Sequence, residues 1–134
     1  NNQLVPPPEK PEFILLDEID KKIGELRVYV HLKIAGGCCV HLKDTPYIVQ
    51  MTDKDQLNNS EGLMVIQQDS ENWTWPVNTT QGVCEVSVDE LKTIVSACAN
   101  FKTTLRRHYY VTKELLQSCT TKEKLDNVQT EYIG

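Results

Sequence analysis

The chain has 134 residues, 40% of them hydrophobic and 25% charged, with a formal net charge of −5. That length suits about one domain with a moderate core, and the negative balance excludes a general nucleic-acid binder. No apolar run approaches the ~20 residues of a membrane span, and five cysteines suit a disulfide framework badly because one must stay unpaired.

Residues 1–11 (NNQLVPPPEKP) contain four prolines, which fix φ and remove backbone donors. They predict an extended, polyproline-like lead-in or linker, with a single domain over 12–134. No initiator Met opens the sequence, as expected of a processed product or a piece of a longer protein.

From Glu12 the pattern changes. Ile19, Ile23, Leu26, Val30 and Ile34 recur at helical spacing among charged residues and predict an amphipathic helix over about 13–34. Asp17, Glu18 and Asp20 near its start suit the helix dipole. Gly24 inside it costs ~1 kcal/mol relative to Ala. Gly36-Gly37 supplies the left-handed conformation that ends it.

Cys38-Cys39-Val40-His41-Leu42 and Tyr47-Ile48-Val49-Gln50-Met51 are rich in strand formers. With the turn chemistry of Lys43-Asp44-Thr45-Pro46 between them, they read as a hairpin. Thr52 and Asp53 then cap a short helix running to about Gln68, helped by Leu57, Met64 and Val65 and weakened by Asn58, Asn59 and Gly62. Trp73-Thr74-Trp75 and Val83-Cys84-Glu85-Val86 alternate in polarity around a polar Asn78-to-Gly82 stretch, which predicts a second hairpin.

Ser87-Val88-Asp89-Glu90 is a capping box that launches a long helix. Leu91, Ile94, Cys98, Phe101, Leu105, His108, Thr112, Leu115 and Cys119 form a heptad seam along it, interrupted only by His108 and Thr112. Thr120-Thr121-Lys122-Glu123 is a second capping box, starting a terminal helix with Leu125, Val128 and Tyr132 on one side. The expected class is α+β: two short β-hairpins packed against an N-terminal helix, a long C-terminal helix and a short terminal helix.

Chemistry is sparse. Cys38-Cys39 beside His41 suggests a nucleophile with its base, or metal ligands. Neighbouring strand residues point to opposite faces, however, and no second cysteine pair exists for zinc. His108 on the seam reads as a hydrogen-bonded core or interface residue. Lys102, Arg106 and Arg107 read as a solvated basic face. No catalytic residue, metal ligand or cofactor site is predicted.

Asn58, Asn72 and Asn78 head N-x-S/T triplets, which act as glycan acceptors in a secreted protein. Cys98 and Cys119 on the seam favour reduced folding instead. Trp73 and Trp75 share a strand face and are either core anchors or an exposed aromatic surface, with the core reading favoured. Together with Tyr109 and Tyr110 they are the candidate partner-binding residues.

The order of these features resembles the uncharacterised domain that recurs in bacteriophage tail-fibre, tail-fibre-assembly and related tail proteins. Residues 13–133 carry the resemblance. It runs through the first helix, Gly36-Gly37, the hairpin ending Tyr47-Ile48-Val49-Gln50-Met51-Thr52-Asp53, the Asn58-to-Gly62 helix and Trp73-Thr74-Trp75-Pro76-Val77-Asn78. It continues through Val86-Ser87-Val88-Asp89-Glu90-Leu91 and the long helix to Thr120-Thr121-Lys122-Glu123-Lys124-Leu125. The double Cys38-Cys39 and the two helix cysteines depart from the pattern.

The resemblance implies a non-catalytic α+β module without cofactors, in the virion tail or in the host cytoplasm during assembly. Its helical surface would dock on another phage tail or fibre protein, or on a second copy, with no nucleic-acid or membrane partner. Two readings from other classes stand beside it. One is a secreted, disulfide-bonded glycoprotein binding module; the other is a Cys-His hydrolase using Cys39 with His41 or His108.

Overall fold

A computed structural model describes residues 11–66 and 72–134, with side chains from Ile14 onward. The Pro-rich lead-in lies outside the described residues as far as residue 10. Pro11, assigned to it, is instead the first residue of helix α1 (Pro11–Ala35), where a missing N–H costs nothing. The fold is α+β. After α1 come strands β1 (Cys38–Leu42) and β2 (Thr45–Val49), helix α2 (Asp53–Met64), strands β3 (Trp75–Thr79) and β4 (Gly82–Val86), the long helix α3 (Val88–Gln117) and the short α4 (Lys122–Asp126).

The contacts define two compact units. A sheet unit comprises Val30–Arg107; a terminal unit comprises the residues up to Tyr29 with His108–Gly134.

In the sheet unit, α1 stops as expected at Gly36-Gly37. The Gly36 N–H donates to Leu32 O at 2.9 Å and the Gly37 N–H to Ile34 O at 3.1 Å. Gly37 has φ +101, and a Cβ there would stand 2.7 Å from Ile48 Cγ2. Only glycine meets both conditions.

The first turn is tighter than expected, because Lys43 and Asp44 alone span it with φ 52 and 64. Two positive φ values make the twist that joins antiparallel strands in two residues, so Thr45 and Pro46 belong to β2. The second hairpin begins at Trp75, with Trp73 and Thr74 preceding the strand.

The two hairpins join into one antiparallel sheet of order β1-β2-β3-β4. Their junction is the single pair Val49↔Thr79, flanked by Gln50 N–H to Asn78 O and Thr80 N–H to Ile48 O, both 3.0 Å. Alternation along the strands then places Val40, Val49, Val77 and Val86 in the core, where they meet Leu91, Ile94 and Cys98 of α3.

Helix α2 departs from its sequence reading. It ends at Met64 with Val65 as C-cap, short of Gln68. Leu57, Met64 and Val65, expected to help it, are exposed. Its buried side carries Asp55, Asn59 and Gly62, because hydrogen bonds and close approach attach it to β3. Asn78 Nδ2 donates to Asp55 Oδ1 at 2.8 Å, Asn58 Nδ2 to Pro76 O at 3.0 Å, and Trp75 Nε1 to Asn58 O at 3.1 Å. At Gly62 a Cβ would stand 2.7 Å from Leu91 Cδ2 and 2.8 Å from Trp75 Nε1.

Helix α3 opens on the expected capping box, Ser87 N–H to Glu90 Oε1 at 3.0 Å and Glu90 N–H to Ser87 Oγ at 3.2 Å. Its buried stripe follows the seam through Leu91, Ile94, Cys98, Leu105 and Thr112, then leaves it. Leu115 is 53% exposed and Leu116 fully buried. A strict heptad lags a straight helix by ~20° per repeat, so after three repeats the covered position has advanced by one residue.

In the terminal unit the buried side chains are Ile19, Ile23, Leu26, Thr112, Leu116 and Leu125. The last helix starts one residue later than expected. Thr121 is the N-cap, its Oγ1 accepting from the Lys124 N–H at 3.2 Å. With Lys124 at the third helical position, no carboxylate reaches back to complete a box. Lys122 Nζ meets Glu18 Oε2 at 2.6 Å and ties α4 to α1.

Of the polar interruptions of the seam, His108 holds the C-terminal tail and Thr112 stands against its ring. His108 Nε2 donates to Thr130 O at 2.7 Å, and its other ring nitrogen lies 3.4 Å from Thr112 Oγ1. A carbonyl can only accept, which fixes the proton on Nε2. The Tyr132 N–H then donates to Tyr29 Oη at 3.0 Å.

Candidate functional site

Tyr109 and Tyr110 stand edge to face in the terminal unit, ring centroids 5.5 Å apart and planes at 68°. Lys113 Nζ lies 5.9 Å from the Tyr109 centroid. Tyr110 lies two residues, about 200°, round α3 from the buried Thr112. It therefore points outward and is 62% exposed, with Val111 59% exposed beside it. Tyr109 is half-buried.

Trp73 and Trp75 belong to the sheet unit and stack with centroids 5.8 Å apart and planes at 15°. Both are half-buried against the core cluster, and Trp75 Nε1 has its acceptor in Asn58 O. This is the core-anchor placement, with the indole N–H satisfied. The four aromatic candidates thus form two pairs, one in each unit.

The cysteine and histidine candidates separate. Cys39 and His41 are exposed on the outward face of β1, while His108 carries the tail. All five cysteines are free thiols. Burial pushes the Cys98 thiol up to about 12, helped by the neighbouring Cys38, and raises Cys38 as well. Both stay protonated near neutral pH and are weak nucleophiles there.

Of the glycan triplets, Asn58 spends its side-chain nitrogen on Pro76 O and, at 3.4 Å, on Asn59 Oδ1. Asn78 spends its own on Asp55. Burial alone would raise the Asp55 carboxyl, but hydrogen bonds from Thr52 and Asn78 outweigh it and hold the group below its usual range.

A feature absent from the sequence reading is a cleft of about 220 Å³ flanked by α2 and α3 in the sheet unit. Met51, Val95 and Cys98 supply apolar walls; Gln56, Asn59 and Lys102 supply polar groups. Lys102, read from sequence as part of a solvated face, donates to Gln56 Oε1 at 2.5 Å. Nothing in the residue pattern marks this contact, since the partners stand 46 positions apart. Arg106 and Arg107 remain exposed.

Among the described residues no group of three His, Cys, Asp or Glu side chains is placed to hold a metal ion. No described helix is long and apolar enough to cross a membrane. Comparison with protein-family models, curated proteins and solved structures returns no match.

Proposed function

We propose that this chain is a bacteriophage tail-associated structural or assembly domain that binds another tail or fibre protein and catalyses no reaction. The observation that carries the reading is the outward side of α3, where Tyr110 and its chain neighbour Val111 stay exposed and the Tyr110 ring stands against that of Tyr109. Interface centres favour tyrosine and exclude charge, and a few such anchors supply most of the affinity. Tyr110 offers a rigid aromatic body with a polar tip, at low conformational cost on a helix.

The order of elements gives further support. Helix, Gly-Gly stop, hairpin, capped helix, second hairpin and long capped helix follow one another, the order that the sequence resemblance implies. The five free thiols accord with folding in a reducing host cytoplasm during assembly.

The test is co-expression with each tail and fibre protein encoded by the same phage, using wild type and Tyr110→Glu. One of these proteins should co-purify with the wild type and be lost with the variant, while the variant's thermal melt stays unchanged. Failure of every tail and fibre protein to co-purify, or equal capture by the variant, overturns the reading.

A further inference from the structure

The cleft flanked by α2 and α3 brings an amide donor and an ammonium group together beside apolar side chains. Asn59 is only 6% exposed. Its Oδ1 accepts from Asn58 Nδ2 at 3.4 Å, which turns the amide so that its two N–H groups face away from Asn58. No acceptor for them occurs among the described residues, and Asn59 lines the cleft. The amide nitrogen is not sealed from solvent, so its N–H groups are open to a ligand that enters the cleft.

Lys102 supplies the charge. Its ammonium is held by a neutral acceptor, Gln56 Oε1, and none of the ion pairs among the described residues involves it. Gln56 is itself fixed, because its Nε2 donates to Met51 O at 3.0 Å. The cation is thus positioned and uncompensated. Ser60 adds a hydroxyl on the same wall, and Met51, Val95 and Ala99 line the remainder with apolar atoms.

We infer that this cleft is a binding site for a small aliphatic carboxylate. The acid oxygens meet Lys102 Nζ and the Asn59 amide, and the aliphatic group lies against Met51, Val95 and Ala99. Charge-assisted hydrogen bonds to a carboxylate are the strong kind. A volume of about 220 Å³ is below the ~300–1,000 Å³ of drug-sized pockets and suits a few heavy atoms. The required chemistry is a carboxylate with a branched aliphatic group close by. A free short-chain acid has it, and so does a peptide ending in valine, which bears both groups on one carbon. An aspartate or glutamate side chain carries no aliphatic group beyond its carboxylate and leaves the apolar wall bare.

This inference is independent of the docking surface on Tyr110. The experiment is a titration of the full chain, followed through its side-chain amide NMR signals. Three probes are used: isovalerate, an acetyl-Gly-Gly-Val peptide with a free C-terminus, and the same peptide as its C-terminal amide. Isovalerate or the acid peptide should shift the Asn59 amide signals at millimolar concentration, and the amidated peptide should bind at least about tenfold more weakly.

Lys102→Met should weaken binding about tenfold with an unchanged melt. Ala99→Phe, which fills the cleft from an exposed helix position, should abolish it. Tighter binding of the acid peptide than of isovalerate assigns the site to a chain terminus; equal or weaker binding assigns it to a free acid. Asn59 signals that stay still with both acids, or equal binding of the amidated peptide, overturn the inference.

Discussion

Alanine placed at Gly24 and at Gly62 should move stability in opposite directions. Both glycines sit inside helices, where Gly→Ala gains up to ~1 kcal/mol from backbone entropy alone. At Gly24 a Cβ meets nothing within 4 Å, so Gly24→Ala should stabilise by about 0.5–1 kcal/mol. At Gly62 the same atom would stand 2.7 Å from Leu91 Cδ2, 2.8 Å from Trp75 Nε1 and 2.9 Å from Trp75 Cδ1. Overpacking of this kind costs ~1–3 kcal/mol. Displacing the indole also strains its bond to Asn58 O, worth ~1 kcal/mol. After the propensity gain is deducted, Gly62→Ala should destabilise by about 1–3 kcal/mol. Urea unfolding with both variants at matched m-values reads the two signs directly. A Gly62→Ala protein as stable as Gly24→Ala would refute the packing of α2 on Trp75 and Leu91.

Three further expectations follow from the same geometry. Leu116→Ala should cost ~2–5 kcal/mol as a core truncation, and Leu115→Ala under ~1 kcal/mol; equal losses would restore the strict heptad seam. His108→Ala should free the tail at a cost of ~1–2 kcal/mol for its hydrogen bonds, seen as faster amide exchange at 130–132 and unchanged exchange in the sheet unit. The third concerns Cys98, whose folded thiol lies at about 12 while an unfolded thiol lies near ~8.5. A raised folded value gives stability that is complete below the unfolded value and is lost as pH climbs toward the folded one. Under reductant the free energy of unfolding should therefore be ~2 kcal/mol lower at about pH 10 than at about pH 8, and Cys98→Ala should remove most of that drop.

The legible part of the sequence was what obeys a short-range rule. Ser87 and Glu90 pair across three residues, Gly36-Gly37 stops a helix locally, and Leu91, Ile94 and Cys98 repeat at helical spacing. These depend on backbone geometry that any window of the chain contains. Helix α2 was misread because apolar Leu57 and Met64 suggested a buried side, whereas its attachment is made by Asp55, Asn58 and Gly62 to residues 13–29 positions away. The Lys43-Asp44 turn was read too long because Lys43 does not advertise positive φ as asparagine or glycine would, and Thr45 and Pro46 carry turn chemistry of their own. His108 looked like a flaw in a stripe, since the tail residue that it holds is 22 positions further on. The cleft could not be seen at all: Gln56, Asn59 and Lys102 are ordinary surface residue types that only the packing of α2 near α3 brings together.

The one-pair ladder joining β2 to β3 carries a consequence for solubility. In each two-residue hairpin, alternate residues direct their backbone groups away from the partner strand. Pro46 and Pro76 both occupy such positions, two residues from Ile48 and Asn78, whose carbonyls do reach across. Each strand thus presents a ring nitrogen without hydrogen where its neighbour, or a foreign chain, would seek a donor. The hairpins cannot zip further, and the open margin is a poor template for amyloid-like stacking.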